Sequence, residues 1–228
     1  MSSVKFLSST GKCCWNRDAL PLQSRVGAIL LLVGSIFVMP LLVNFFLRDR
    51  LDIPDVLLFS SLPGIIAYRF IPAKDIPLGG FDWKFVGRVL LLFLPLMFAV
   101  GFATFLWQKL LVFFGIPFEE KQQLLTMIKD YHGGKLFQLY FGVCVIPPLT
   151  EELLFRRLIY GELLRFGFMP AFIVTALMFS LCHFFISGMP GLFILGLAFQ
   201  YVYLKEKNIS AAMLLHWLVN TFAFVFSM

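Results

Sequence analysis

Two adjacent carboxylates, Glu151 and Glu152, interrupt a chain that is 60% apolar, and Arg156 and Arg157 follow within the same stretch, 145–160. At the centre of a membrane helix such a group costs roughly 2.5–3.5 kcal/mol, so ionisable groups there mark a functional site by default. Neighbours on a helix point about 100° apart, so the two glutamates take different roles. Glu152 and Arg156 stand at i, i+4 and pair on one face. Glu151 is left to face the bundle interior without a local partner, where desolvation turns a carboxylate into a useful general base. Taken alone, the pair also fits a helix end held among headgroups by Arg156 and Arg157.

Two of the three histidines fall in apolar runs. His183 lies ~18 Å along a span predicted over 171–186. His216 and Asn220, at i, i+4, share one face of a span predicted over 210–226. Singly, each fits a structural part, as a histidine bonded to a backbone carbonyl or as an interhelical hydrogen bond. Together with the glutamates they form a hydrolytic set. A Glu–His pair can bind and deprotonate a water, while a second imidazole and an amide donate to a developing oxyanion. Alternatively Glu151, His183 and His216 could ligate zinc and leave one position open for water. The H-E-x-x-H spacing of soluble zinc proteases is absent.

The elements that must position these groups are membrane helices. Mean hydropathy is +0.88, charged residues make up 14% and phenylalanine occurs 29 times. The expected fold is all-α, a polytopic bundle of about seven transmembrane helices. The predicted spans are 26–47 (kinked at Pro40), 53–68 (tilted or broken at Pro63-Gly64), 85–107 with an extension to 114, one from 136 into the glutamates, 171–186, 190–204 and 210–226. Pro147-Pro148 should bend or restart the fourth helix just before Glu151. An interfacial amphipathic helix is expected within 117–135. Three parts follow: a cytoplasmic tail 1–25, N-terminal membrane helices 26–116, and a catalytic membrane region 117–228.

Thirteen of the nineteen Lys and Arg fall on one side of such a bundle, which puts the N-terminus in the cytoplasm. An integral, multi-pass protein of a bacterial inner membrane or its equivalent is expected. The net charge of +6 is scattered through loops, which excludes a nucleic-acid face. Four cysteines build no disulfide framework: Cys144 and Cys182 read as small apolar side chains, and Cys13-Cys14 as a weak lipidation site. The first apolar run lacks the exit of a cleavable signal and should stay as a span. Asn208-Ile209-Ser210 matches a glycosylation acceptor, but on the cytoplasmic side.

Glu151-Glu152-x-x-x-Arg156, Phe179-x-x-x-His183 and His216-x-x-x-Asn220, in this order on three late helices, resemble the three motifs of the CPBP family. These are the CAAX-protease and bacteriocin-processing, or Abi, intramembrane endopeptidases. The resemblance covers roughly 120–225 and extends to the Pro-rich approach and the Phe155-Arg156 pair. It implies a helical bundle whose cavity opens toward the cytoplasm. Glu151 and His183 would activate water, His216 and Asn220 would stabilise the oxyanion, and Arg156, with Glu152, would support the site. Arg157 stands where the family often has glycine, which touches packing but no catalytic group. The favoured mechanism needs no cofactor; zinc on Glu151, His183 and His216 is the alternative. The implied partners are the lipid bilayer and a peptide or protein substrate, with prenylated CaaX tails and leader peptides both fitting. A non-proteolytic scaffold or regulator of a membrane partner is the competing class, and a transporter a third.

Overall fold

The computed structural model describes residues 22–39, 42, 52–67, 83–119 and 127–228. The predicted tail with Cys13-Cys14, Pro40, the far end of the first span and residues 120–126 of the expected interfacial helix lie outside them. Of that helix, the described part is a single 3-10 turn, Ile128–Asp130.

The described residues form seven helices and no strand. Helix α1, Leu22–Val33, continues into a π-helical turn, Gly34–Val38. Next come α2, Ile53–Ala67, and α3, Trp83–Phe113. Helix α4 is a continuous run over 133–163. It comprises Gly133–Tyr140, the π turn Phe141–Val145, Ile146–Glu152, a second π turn Leu153–Ile159, and Tyr160–Leu163. Helices α5, Phe168–Leu181, α6, Met189–Glu206, and α7, Ile209–Val225, complete the bundle.

Two helical stretches, Trp83–Phe113 and Ile186–Glu206, are long and apolar enough to cross a membrane, and four shorter apolar helices accompany them. Helix α3 separates this bundle from a water-soluble one. Only 11% of its most apolar window is buried, and Leu91, Leu94, Phe98 and Phe113 are each more than 70% exposed. A soluble core helix buries such side chains; these face lipid. The all-α membrane bundle expected from composition is the fold observed.

Prolines behave differently here from their usual part in soluble helices. Of the tilted or broken helix expected at Pro63-Gly64, the break does not occur: α2 runs unbroken over Ile53–Ala67, and membrane helices tolerate a proline where neighbours satisfy the freed backbone groups. At Gly64 the missing side chain is required. A Cβ there would lie 2.8 Å from both Ser35 Oγ and Thr150 Cγ2, so α1, α2 and α4 could not meet. In α4 a π turn, Phe141–Val145, precedes Pro147 and Pro148, and the helix runs on through them without a restart.

Ion pairs pin both ends of the bundle. Arg25 of α1 pairs with Glu162 of α4. Arg88 of α3 forks onto Glu206 of α6, with Nε 2.8 Å from Oε1. At the opposite end Lys135 of α4 reaches Asp55 of α2 at 2.8 Å and Asp52 at 3.2 Å. These contacts tie α1 and α2 to α4, and α3 to α6. The main core among the described residues draws on all seven helices, with Ala28 and Leu32 of α1 and Val89 and Leu96 of α3 packed with Leu153, Phe155, Leu158, Phe179 and Phe199. Cys144 and Cys182 are free. Asn208 caps α7: its side chain accepts from Ser210 N–H at 2.9 Å, so its oxygen serves the helix.

One candidate residue lies elsewhere than its span predicted. Helix α5 ends at Leu181, and His183 sits in the turn beyond it, not inside a helix. An apolar run carries no hydropathy signal that separates its last helical turn from the turn that follows. Phe184 adopts a left-handed conformation there (φ 50°), which reverses the chain.

Candidate active site

The second half of α4 carries the two glutamates into the core. Glu152 and Arg156 are fully buried, and Arg156 Nε donates to Glu152 Oε2 at 2.8 Å, the i, i+4 pair expected. The other carboxylate oxygen accepts from His216 Nδ1 of α7, also at 2.8 Å. Glu152 is therefore more than a clasp for Arg156, because it also orients the imidazole. The Arg156 guanidinium lies over three rings, 5.1 Å from the centre of Phe179, 5.7 Å from Phe199 and 5.9 Å from Phe155. Aromatic faces are a favourable substitute for water around a buried cation. The His216 ring stacks on Phe199 at 4.7 Å.

His183 is held by its backbone neighbourhood. Its Nδ1 donates to the Phe179 carbonyl at 2.8 Å. A carbonyl can only accept, so Nδ1 carries the proton and the neutral ring leaves Nε2 with a bare lone pair. The turn that carries His183 is tied at three points: Ser180 Oγ donates to Met189 O at 2.7 Å, Trp107 Nε1 to Ile186 O at 2.9 Å, and the Ser187 hydroxyl to Glu119 O. Phe179 packs against both imidazoles, with ring centres 4.7 Å from His183 and 5.8 Å from His216. Sequence reasoning treated Phe179 as a motif marker; in the fold it is the spacer between the two histidines.

Asn220 is positioned by an absence. In a regular helix Val143 O would accept from the N–H of residue 147, or from 148 across a π turn, and both are prolines. Asn220 Nδ2 fills the vacancy, donating to Val143 O at 3.0 Å. One amide hydrogen is thereby used, and one remains. Beside it, Trp217 Nε1 donates to Tyr140 Oη at 3.0 Å, a second link between α4 and α7.

Glu151, His183, His216 and Asn220 line one cavity of about 260 Å³. Glu151 Oε2 is buried with no hydrogen-bond partner among the described residues. The three late motifs therefore meet around one space, with the unpartnered carboxylate in it. The sequence pattern did not reveal that Ser35, Ser60 and Ser61 of the first two helices and Thr150 join the lining. Isolated serines in apolar helices carry no signal in a sequence; only the packing singles them out.

Zinc was the alternative centre. The donor types suit it, since each imidazole has Nδ1 committed to an acceptor and Nε2 open, as metal-bound histidines do. Among the described residues, however, no three His, Cys, Asp or Glu side chains converge as ligands of one ion. The residues as placed do not form the site, and no step is derived through a metal.

Residues 133–222 match the family model described as type II CAAX prenyl endopeptidase Rce1-like. Among curated proteins, the chain is 33% identical over 95 residues to the membrane-embedded CAAX protease MroQ of Staphylococcus aureus (strain USA300), covering 39% of this chain and 38% of that protein. It is 26% identical over 82 residues to a protein of Bacillus subtilis (strain 168) named "Putative membrane peptidase YdiL", covering 36% of this chain and 34% of that protein. The matched part thus spans less than two fifths of either relative. No solved structure matches the chain. Glu151, Glu152, Arg156, His183, His216 and Asn220 all fall inside the matched domain, whereas Ser35, Ser60 and Ser61 fall outside it.

Proposed function

We propose that this chain, whose residues 133–222 carry an Rce1-like domain, is a multi-pass intramembrane endopeptidase that hydrolyses a peptide bond in a membrane-associated substrate. The observation that carries this reading is the convergence of Glu151 of α4, His183 of the turn after α5, and His216 and Asn220 of α7 on one cavity. Glu151 takes a proton from a water held between its carboxylate and the bare Nε2 of His183. The water attacks the peptide carbonyl. His216, held by Glu152 through Nδ1–H and donating from Nε2–H with both ring nitrogens carrying hydrogen, and the second amide hydrogen of Asn220 stabilise the oxyanion. Glu151 then returns the proton to the leaving nitrogen.

Because the relatives include a CAAX protease, a farnesylated C-terminal Cys-a-a-X peptide is the first substrate to try, and an unlipidated leader peptide the second. The test uses purified protein in lipid nanodiscs with quenched-fluorescent versions of both. Wild type cleaves at least one, and Glu151→Gln, His183→Ala and His216→Ala each lower kcat by about 100-fold or more, the scale of a lost general base. Full activity in Glu151→Gln would falsify the assignment.

A further inference from the structure

The catalytic groups are only part of the cavity's lining. Helices α1 and α2 add two apolar side chains, Ile36 and Leu57, and a group of hydroxyls that Thr150 of α4 completes. These hydroxyls belong to Ser35, Ser60, Ser61 and Thr150, each more than nine-tenths buried. All four hydroxyl hydrogens are committed to backbone carbonyls. Ser35 donates to Ser60 O at 2.8 Å, Ser60 to Leu57 O at 3.1 Å, Ser61 to Leu58 O at 2.6 Å and Thr150 to Ile146 O at 3.1 Å. A hydroxyl has one hydrogen and two lone pairs, so each oxygen has only acceptor capacity left to offer the cavity. Gly64 lets the wall close, since a Cβ there would collide with Ser35 and Thr150.

A wall of acceptors selects against carbonyls and anions and suits a ligand that brings hydrogen-bond donors. For an apolar peptide segment the available donors are its backbone N–H groups. In a bilayer those groups are satisfied only while the segment stays helical, and unwinding it for hydrolysis exposes each at a cost of several kcal/mol. We propose that Ser35, Ser60 and Ser61 bind substrate, accepting hydrogen bonds from the N–H groups of an unwound peptide and holding its scissile carbonyl toward Glu151 and His183. This rests on the endopeptidase reading and extends it to helices outside the matched domain.

The experiment is a double-mutant cycle between enzyme and substrate. The probe is whichever of the two quenched-fluorescent peptides wild type cleaves, with analogues in which one amide near the scissile bond becomes an ester, so that N–H is replaced by O. The enzymes are wild type, Ser60→Ala and Ser61→Ala. Both hydroxyls bond only their own helix, so no interhelical contact is removed. At one or two positions the ester should raise KM about 3- to 10-fold with kcat nearly unchanged, the effect of one lost hydrogen bond that binds ground state and transition state alike. The alanine variants should raise KM for the parent peptide similarly, and the matched ester should then add less than about twofold. Ser60→Thr, which keeps the oxygen, should behave as wild type and serves if the alanine variant unfolds. Independent, multiplying penalties at every position overturn the proposal alone. If wild type cleaves neither peptide, the endopeptidase reading falls and the proposal falls with it.

Discussion

Replacing Asn220 by alanine should have two separable consequences, and a second substitution should repair only one. Val143 O has no helical donor because residues 147 and 148 are prolines, and Asn220 Nδ2, 3.0 Å away, satisfies it. Without that amide a buried carbonyl is left unpaired, which costs about 1–3 kcal/mol in water-soluble proteins. In a membrane the unfolded reference finds other partners, and measured interhelical hydrogen bonds average about 0.6 kcal/mol with a maximum near 1.7. Asn220→Ala should therefore destabilise the bundle by about 1 kcal/mol. Pro147→Ala restores an N–H at the i+4 position of Val143 O. In the double variant the loss should shrink to a few tenths of a kcal/mol, giving a coupling energy of opposite sign to the single losses. Stability is read as the SDS-unfolding midpoint of purified protein followed by tryptophan fluorescence, and activity as peptide cleavage in nanodiscs. Cleavage should stay low in the double variant, because the second amide hydrogen assigned to the oxyanion is still missing. Strictly additive stability effects would show that the prolines do not create the acceptor. Recovery of cleavage with stability would show that Asn220 acts only as a structural link.

Glu152→Gln should cost about 3–5 kcal/mol, because it leaves the buried Arg156 without its counter-charge, whereas Glu151→Gln should leave the SDS-unfolding midpoint within about 0.5 kcal/mol of wild type. Lys207 caps α6 in the left-handed region (φ 52°), so Lys207→Gly should stabilise the bundle by about 0.5–1 kcal/mol in the same assay; no gain would mean that the strain is relieved elsewhere. His132 is exposed at the Lys135 end of the bundle. In a cysteine-free background, His132→Cys should react with a membrane-impermeant maleimide in intact cells, as an N-terminus in the cytoplasm requires. Labelling only after lysis reverses the orientation.

What could be foreseen from residue order divides along the range of the interactions. The Glu152–Arg156 pair is local, one helical turn apart, and was predicted from spacing alone. The Glu152–His216 bond joins residues 64 apart in the chain, and no periodicity within a helix encodes it. His183 was assigned to a helix because hydropathy is blind to where an apolar run stops being helical. Of the tilted or broken helix expected at Pro63-Gly64, the break did not occur, because neighbouring helices decide whether a membrane helix tolerates a proline.

The amino-acid sequence by itself determined the class of the fold, the identities of Glu151, Glu152, Arg156, His183, His216 and Asn220 as candidates, and the local pairing of Glu152 with Arg156. It could do so because charged and amide groups in an apolar chain are expensive and therefore conspicuous. Only the tertiary structure decided that Glu152 also orients His216, that His183 stands in a turn, and that α1 and α2 add their hydroxyls to the cavity. Those outcomes depend on which long-range partner satisfies each buried polar group, and a hydroxyl or a bare carbonyl becomes informative only when its neighbours are in place.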